Sequence, residues 1–296
     1  MSTSRSSVPS GARRPVLLHD EPVTVAVRRE IDAPPAARSP QQLLLALLGE
    51  QLDARVDRPI RAGFYLDVLE GAGVAGPTAR AALDRMALRG LLTRGRAGRE
   101  VEYGLTEHAR NVLREAAERV HSPFPFDPVG KGWTLVTFTV PEGQRSLRHR
   151  LRAALTWEGF APLRDGLWIA PGEVDLIAAL GPLREELPES CVTAFRARDL
   201  PDFPVAPSVA GAWDLEAIRA GHERFLAVWD GADAVPASVP PLSALTMLVA
   251  DWLALLRADP RLPAAFLGPG WPAPRSTAAY RAGRARWSAA ARAALP

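Results

Sequence analysis

Six arginines, Arg80, Arg85, Arg89, Arg94, Arg96 and Arg99, face a single acid, Asp84, within residues 78–99. Guanidinium groups grip phosphate oxygens and read guanine edges with two parallel N–H donors, so this arrangement points to nucleic-acid recognition. The excess is local. Residues 39–120 together carry twelve arginines against eleven acids, so the charge is gathered into one short stretch. Chain-wide figures carry less weight: a pI of 9.6 accompanies a net charge of only +3. Only Lys131 among the 36 basic residues is a lysine, a bias that also fits the codon usage of a GC-rich genome.

The stretch reads "TARAALDRMALRGLLTRGRAGREVEYGLT". At 100° per residue, Ala79, Ala82, Leu83 and Met86 form one apolar stripe, and Arg80, Ala81, Asp84 and Arg85 fall opposite. Thr78, Arg80, Ala81, Arg85, Arg94, Arg96 and Arg99 are the candidate DNA contacts. Arg80 and Arg85 suit guanine or phosphate, Ala81 a thymine methyl, and Arg96, Gly98 and Arg99 a tip small enough for the minor groove. The bland alternative is a solvated face with an Arg80–Asp84 i,i+4 pair.

Other chemistry is sparse. His19, His108, His121, His149 and His222 lack metal-ligand spacing, and no P-loop, GxGxxG, GxSxG or HExxH occurs. His222 lies on an apolar helical face and reads as a satisfied core histidine. Cys191 falls in a strand-like piece and reads as a small buried side chain. Several of the eight tryptophans sit at core spacing; the alternative for some is an apolar effector pocket. No catalytic residue, metal or cofactor is expected. A single cysteine excludes an intramolecular disulfide and suits a reducing cytoplasm. No apolar run is expected to approach the roughly 18 residues of a membrane helix. "PVLLHDEPVTVAV" is too interrupted by charge and proline for a signal peptide.

The elements that must position the arginines follow from patterning. Residues 1–38, rich in Ser, Arg and Pro, read as a disordered tail. Ser39 N-caps a helix with Pro40 at its first position and Leu43, Leu44, Leu47 and Leu48 inside. A second helix from about Ala62 carries Tyr65, Val68, Leu69 and Ala72 on one face. The third starts at Pro77 and stops at Gly90. "LLTR" and "EVEYGLT" are strands joined by Gly95 to Arg99, and a fourth helix runs roughly from Thr106 to Val120. That order, over residues 39–121, is a winged helix-turn-helix.

"HSPFPFDPVGKG" reads as a linker. Over residues 131–200 the pieces "WTLVTFTV", "QRSLRHRLRAALTWEG", "GFAPLRDGLWIAP", "EVDLIAALGPLREEL" and "SCVTAFRAR" give strand, helix, hairpin, helix, strand, the order of a ferredoxin-like sandwich. Residues 201–210, with three prolines, form a second linker. Residues 211–296 are helical, beginning with Asp214 as an N-cap between Trp213 and Ile218. The expected class is therefore α+β: winged helix-turn-helix, ferredoxin-like α/β sandwich and C-terminal helical domain.

Four stretches, in order, resemble the phenylacetic acid degradation repressors of the PaaX family: "ARAALDRMALRGLL", "WTLVTFTVPE" with "GFAPLRDGLWIAP", "AWDLEAI", and "DPRLPAAFLGPGWP" at Asp259 to Pro272. The resemblance implies a cytoplasmic, homodimeric transcriptional regulator, usually a repressor of double-stranded operator DNA. It also implies a small effector, phenylacetyl-coenzyme A or another acyl-coenzyme A, and recognition-helix positions at Arg80, Leu83 and Arg85. Two departures stand out. Where the pattern has His-x-Tyr-Arg-Arg, this chain has Ala250, Asp251, Trp252, Leu253 and Ala254, which removes cations suited to a coenzyme A phosphate. The first middle strand ends "TVPE", without the aspartate a metal-dependent nuclease of that fold would use. Rival readings are an adaptor whose winged helix makes protein contacts, and a nuclease-like or thioester-handling enzyme built on the middle domain.

Overall fold

A computed structural model describes residues 38–296, apart from 165, 189, 201, 203–204 and 232–234. The first part comprises α1 (Pro40–Asp53), β1 (Ile60–Arg61), α2 (Ala62–Gly71), α3 (Gly76–Leu88), β2 (Leu92–Ala97), β3 (Glu100–Leu105) and α4 (Glu107–Val120). Next come β4 (Trp133–Phe138), α5 (Arg145–Trp157), β5 (Ala161–Arg164), β6 (Leu167–Pro171), α6 (Leu176–Leu180) and β7 (Val192–Ala197). Four helices follow: α7 (Ala206–Ala212), α8 (Leu215–Trp229), α9 (Pro241–Ala258) and α10 (Ala273–Ala293). The protein is thus mixed α and β, with two antiparallel sheets ordered β1-β3-β2 and β5-β6-β4-β7.

Local chemistry explains the helix starts. Ser39 Oγ accepts from Gln42 N while Gln42 Oε1 accepts from Ser39 N, a reciprocal cap on α1. Asp214 accepts from Ala217 N at the start of α8, where the sequence placed it. Helix α1 is buried nearly all round, from Leu43 through Leu48. It packs against α3, α4 and α9, which leaves only its ends, including Asp53, open to solvent. One hydrophobic cluster accordingly joins Leu43, Leu69 and Leu83 to Leu248, Trp252 and Tyr280. At the α2–α9 crossing Ser243 Oγ donates to Val68 O at 2.8 Å. A Cβ on Gly71 would stand 2.4 Å from that Oγ, so glycine there permits close approach.

The second sheet has two covered faces. Val136, Trp168 and Ala170 meet Leu147, Leu151 and Leu155 of α5. Trp133 and Ile169, on the reverse face, meet Val209 of α7 and Leu262.

Several expectations are corrected. Helix α9 is, by length and composition, apolar enough to cross a membrane. Its packing against α1, α2, α4, α8 and α10 accounts for that composition as a core helix. "EVDLIAALGPLREEL" yields only the five-residue α6 and a 3-10 turn at Gly181–Leu183, because Pro182 has no N–H for helical bonding. The second linker gives way to α7 at Ala206, with Pro207 tolerated in the first turn of that helix. Cys191 precedes β7 rather than lying in it, and is half-buried. Residues 1–37 of the expected tail lie outside the described residues. Arg38 is firmly held: its Nε and Nη2 donate to Asp251 at 2.9 and 2.8 Å, and its guanidinium lies 5.6 Å from the Trp229 ring centroid.

Candidate nucleic-acid interface

Helix α3 is fixed on its inner face by Ala79, Ala82, Leu83 and Met86, all at most 1% exposed. Pro77 suits its first turn, where an N–H would lack a helical partner. Its end is a glycine stop. Gly90 takes φ 70°, donates to Ala87 O at 3.0 Å, and lets Leu91 N reach Met86 O at 3.0 Å while Leu91 is buried. Thr106 Oγ1 then donates to Gly90 O at 2.8 Å, tying this stop to the base of α4. The outer face presents Thr78, Arg80, Ala81 and Arg85, all exposed, followed by Leu88 at 87% exposure.

The ribbon differs from the expected loop. Strand pairing continues from Leu92↔Leu105 to Ala97↔Glu100, so only Gly98 and Arg99 form the turn. Gly98, at φ 65°, supplies the positive φ that a two-residue hairpin needs at its first central position. Arg94 and Arg96 are strand residues, not loop residues. Opposed residues share a face, so Arg94/Tyr103 and Arg96/Val101 lie on the side of buried Leu92 and Tyr103. Glu100 and Glu102 occupy the reverse side, where Glu100 pairs with Arg61 at 2.9 Å. The ribbon therefore sorts charge by face, cations toward α3 and acids away.

Asp84 acts as a brace. Tyr103 Oη donates to Asp84 Oδ1 at 2.7 Å, and Arg94 Nε lies 3.5 Å from the same oxygen. Burial, with the bond to Asp84, pushes the Tyr103 phenol above its ordinary value of 10.0. The one acid of the cluster is thereby turned to the ribbon rather than to Arg80. Arg80, Arg85, Arg96 and Arg99 have no ion-pair partner among the described residues. The structure brings the predicted residues together on α3 and the adjoining ribbon, with Arg94 committed to Asp84.

A second constellation escaped the sequence reading except for His222 itself. His222, 0% exposed, has Nε2 2.9 Å from Asp259 Oδ2 and Nδ1 3.0 Å from Ser276 Oγ. The residue types match a hydrolytic relay, but Ser276 is also fully buried and lies 3.3 Å from Pro272 O. No substrate reaches it. The cluster instead fastens α8, the end of α9 and α10, and Phe126 packs 4.7 Å from the His222 ring. Asp259 and Ser276 lie 37 and 54 positions away, so helical spacing gave no signal. Trp133, Trp168, Trp229 and Trp252 are likewise core residues. No group of three or more His, Cys, Asp or Glu among the described residues could hold a metal ion.

Comparisons with known proteins follow the same order along the chain. Residues 39–109 match a family described as PaaX-like protein, residues 127–203 the PaaX protein central Cas2-like domain, and residues 213–295 the PaaX-like protein C-terminal domain. The uncharacterized protein Rv0674 from Mycobacterium tuberculosis has a similar fold, with a TM-score of 0.55 and 24% identity. That match covers 83% of this chain and 96% of the other. No curated protein matches significantly in sequence.

Proposed function

The chain belongs to the PaaX family, whose three domain models succeed one another along it, and on that premise we propose a DNA-binding repressor of transcription. Proteins of this family are regulators rather than enzymes. In this reading α1–α4 with β1–β3 are a winged helix-turn-helix, β4–β7 with α5 and α6 a ferredoxin-like sandwich, and α7–α10 a helical domain. One observation carries it: four exposed arginines without ion-pair partners stand on α3 and the adjoining ribbon, while the neighbouring acid is braced inward.

Arg80 and Arg85 would meet guanine edges or phosphates in the major groove, Ala81 a thymine methyl, and Thr78 a phosphate oxygen. Arg96 and Arg99 would enter or straddle the minor groove. A cytoplasmic homodimer would set two such units on operator half-sites. A small effector, an aryl- or acyl-coenzyme A thioester, would change their spacing. Driving occupancy from nearly full to nearly empty requires a preference of about 5.5 kcal/mol for the weak-binding state. Asp251, held by Arg38 and by Trp229 Nε1 at 2.8 Å, offers no cation to a coenzyme A phosphate. Such an effector would find its phosphate contacts elsewhere. The shared core of α1 and α9 gives the reading unit and the C-terminal helices a common body through which the effector could act.

A mobility-shift assay with a duplex from the gene's own upstream region tests the reading. Arg80→Ala and Arg85→Ala should each weaken binding roughly tenfold or more, with the thermal midpoint unchanged. Undiminished binding by both variants would contradict it.

A further inference from the structure

Outside residues 78–99, helix α5 carries Arg145, Arg148, His149, Arg150 and Arg152 and no acid at all. Two of its arginines are used within the fold. Arg148 Nη2 donates to Val140 O, and Arg150 grips Glu186 in a two-pronged pair, with its Nη1 2.6 Å from Glu186 Oε1. That pair and hydrogen bond hold the Glu186 carboxyl below its ordinary value. The remaining three behave differently. Arg145, His149 and Arg152 are exposed, and none has an ion-pair partner among the described residues.

Spacing places these three together. Positions i, i+4 and i+7 lie within about 60° of one another around a helix, on the side away from buried Leu147, Leu151 and Leu155. Along the axis they span roughly 10 Å, close to three phosphate steps of about 3.4 Å on one DNA strand. The sheet's reverse face is covered by Val209 and Leu262, so α5 forms the opposite, outward layer of this region.

We infer that the outer stripe of α5 is a second, sequence-independent contact with the phosphate backbone of double-stranded DNA. The inference rests on the DNA-binding reading and extends it: α3 and the ribbon read the site, and α5 holds the backbone of the same or a neighbouring duplex. Charge complementarity favours this occupant. Within α5 the stripe offers cations and an N–H donor and no carboxylate; the nearest described one in sequence is exposed Glu142, on the turn ahead of Arg145. It presents little apolar surface to a protein partner.

The test uses the full chain and a 40-base-pair duplex of mixed sequence, with binding followed by anisotropy across a salt series. Arg145→Gln with Arg152→Gln should lower the slope of log K against log salt by about 1.8, or 0.9 for each phosphate no longer neutralised. Arg145→Lys with Arg152→Lys should keep the wild-type slope. An unchanged slope in the glutamine variant, with the wild type binding and Arg80→Ala weakening it, overturns this inference alone. Failure of the wild type to bind any duplex overturns the underlying reading. Binding to vesicles of anionic phospholipid that is lost in the glutamine variant, with duplex binding intact, assigns the stripe to a membrane surface and overturns the proposal.

Discussion

The arginines of α3 and its ribbon and those of α10 are the same residue type in comparable density, yet three of the α10 set are tied into the fold. On α10, Arg284 Nη1 reaches Glu50 at 2.5 Å and its Nη2 reaches Asp53 at 3.2 Å. Arg275 pairs with Asp230, and Arg281 donates to Pro123 O at 2.7 Å. These side chains stitch the last helix to α1, to the α4–β4 connection and to the end of α8. On α3 and the ribbon, four of six arginines stand exposed without an ion-pair partner, and the one local acid is turned away from them. Arginine content therefore does not mark an interface. What marks it is cationic charge that the fold holds in place and leaves unanswered.

That contrast can be broken in a graded way. The largest effect is expected at Arg284→Ala, which leaves a mostly buried Glu50 without its cation and should cost about 3 kcal/mol in urea unfolding. If the α10 arginines were surface decoration, the loss would be within about 0.5 kcal/mol. Tyr103→Phe comes next. It removes the bond to Asp84 and should cost about 1 kcal/mol of stability while loosening the ribbon against α3. Weaker DNA binding at unchanged salt slope would show that the brace sets geometry rather than charge.

The smallest effect concerns the carboxylates beside Arg284. Burial pushes Asp53 up, but His121 and Arg284 outweigh it and hold the carboxyl below its ordinary 3.8. The unfolded chain thus takes up this proton first as the pH falls. Asp53's contribution to stability is complete above 3.8 and lost as the pH drops through the folded value. Glu50 opposes it. Burial, outweighing Arg284, holds Glu50 above 4.5, so its contribution is present below 4.5 and lost as the pH rises through the folded value. Asp53→Asn should therefore flatten the acid limb of a stability profile below pH 4, by a fraction of the Arg284→Ala effect. A steeper limb would contradict the assignment.

Much of this was legible in the residues because local rules governed it. The inner stripe of α3, the stop at Gly90 and the cap at Asp214 each follow from side chains a few positions apart. The ribbon was harder. After Leu92, strand β2 reads Thr-Arg-Gly-Arg-Ala, with no apolar alternation, and only pairing with β3 makes it a strand. The charge sorting of its faces depends on that register. Asp84's turn to Tyr103, Arg38's grip on Asp251 and His222's partners all cross many residues, and no periodicity encodes them. Gly71's close approach to Ser243 likewise depends on α9, some 170 positions away.

The central claim is that the exposed arginines of α3 and the ribbon hold DNA. Salt dependence of duplex binding tests it most directly, comparing wild type with a variant in which Arg80, Arg85, Arg96 and Arg99 are all alanine. The account predicts that the slope of log K against log salt falls by up to about 3.6 per bound subunit, 0.9 for each of the four that neutralises a phosphate, with the unfolding midpoint unchanged. An unchanged slope in a folded variant would contradict it.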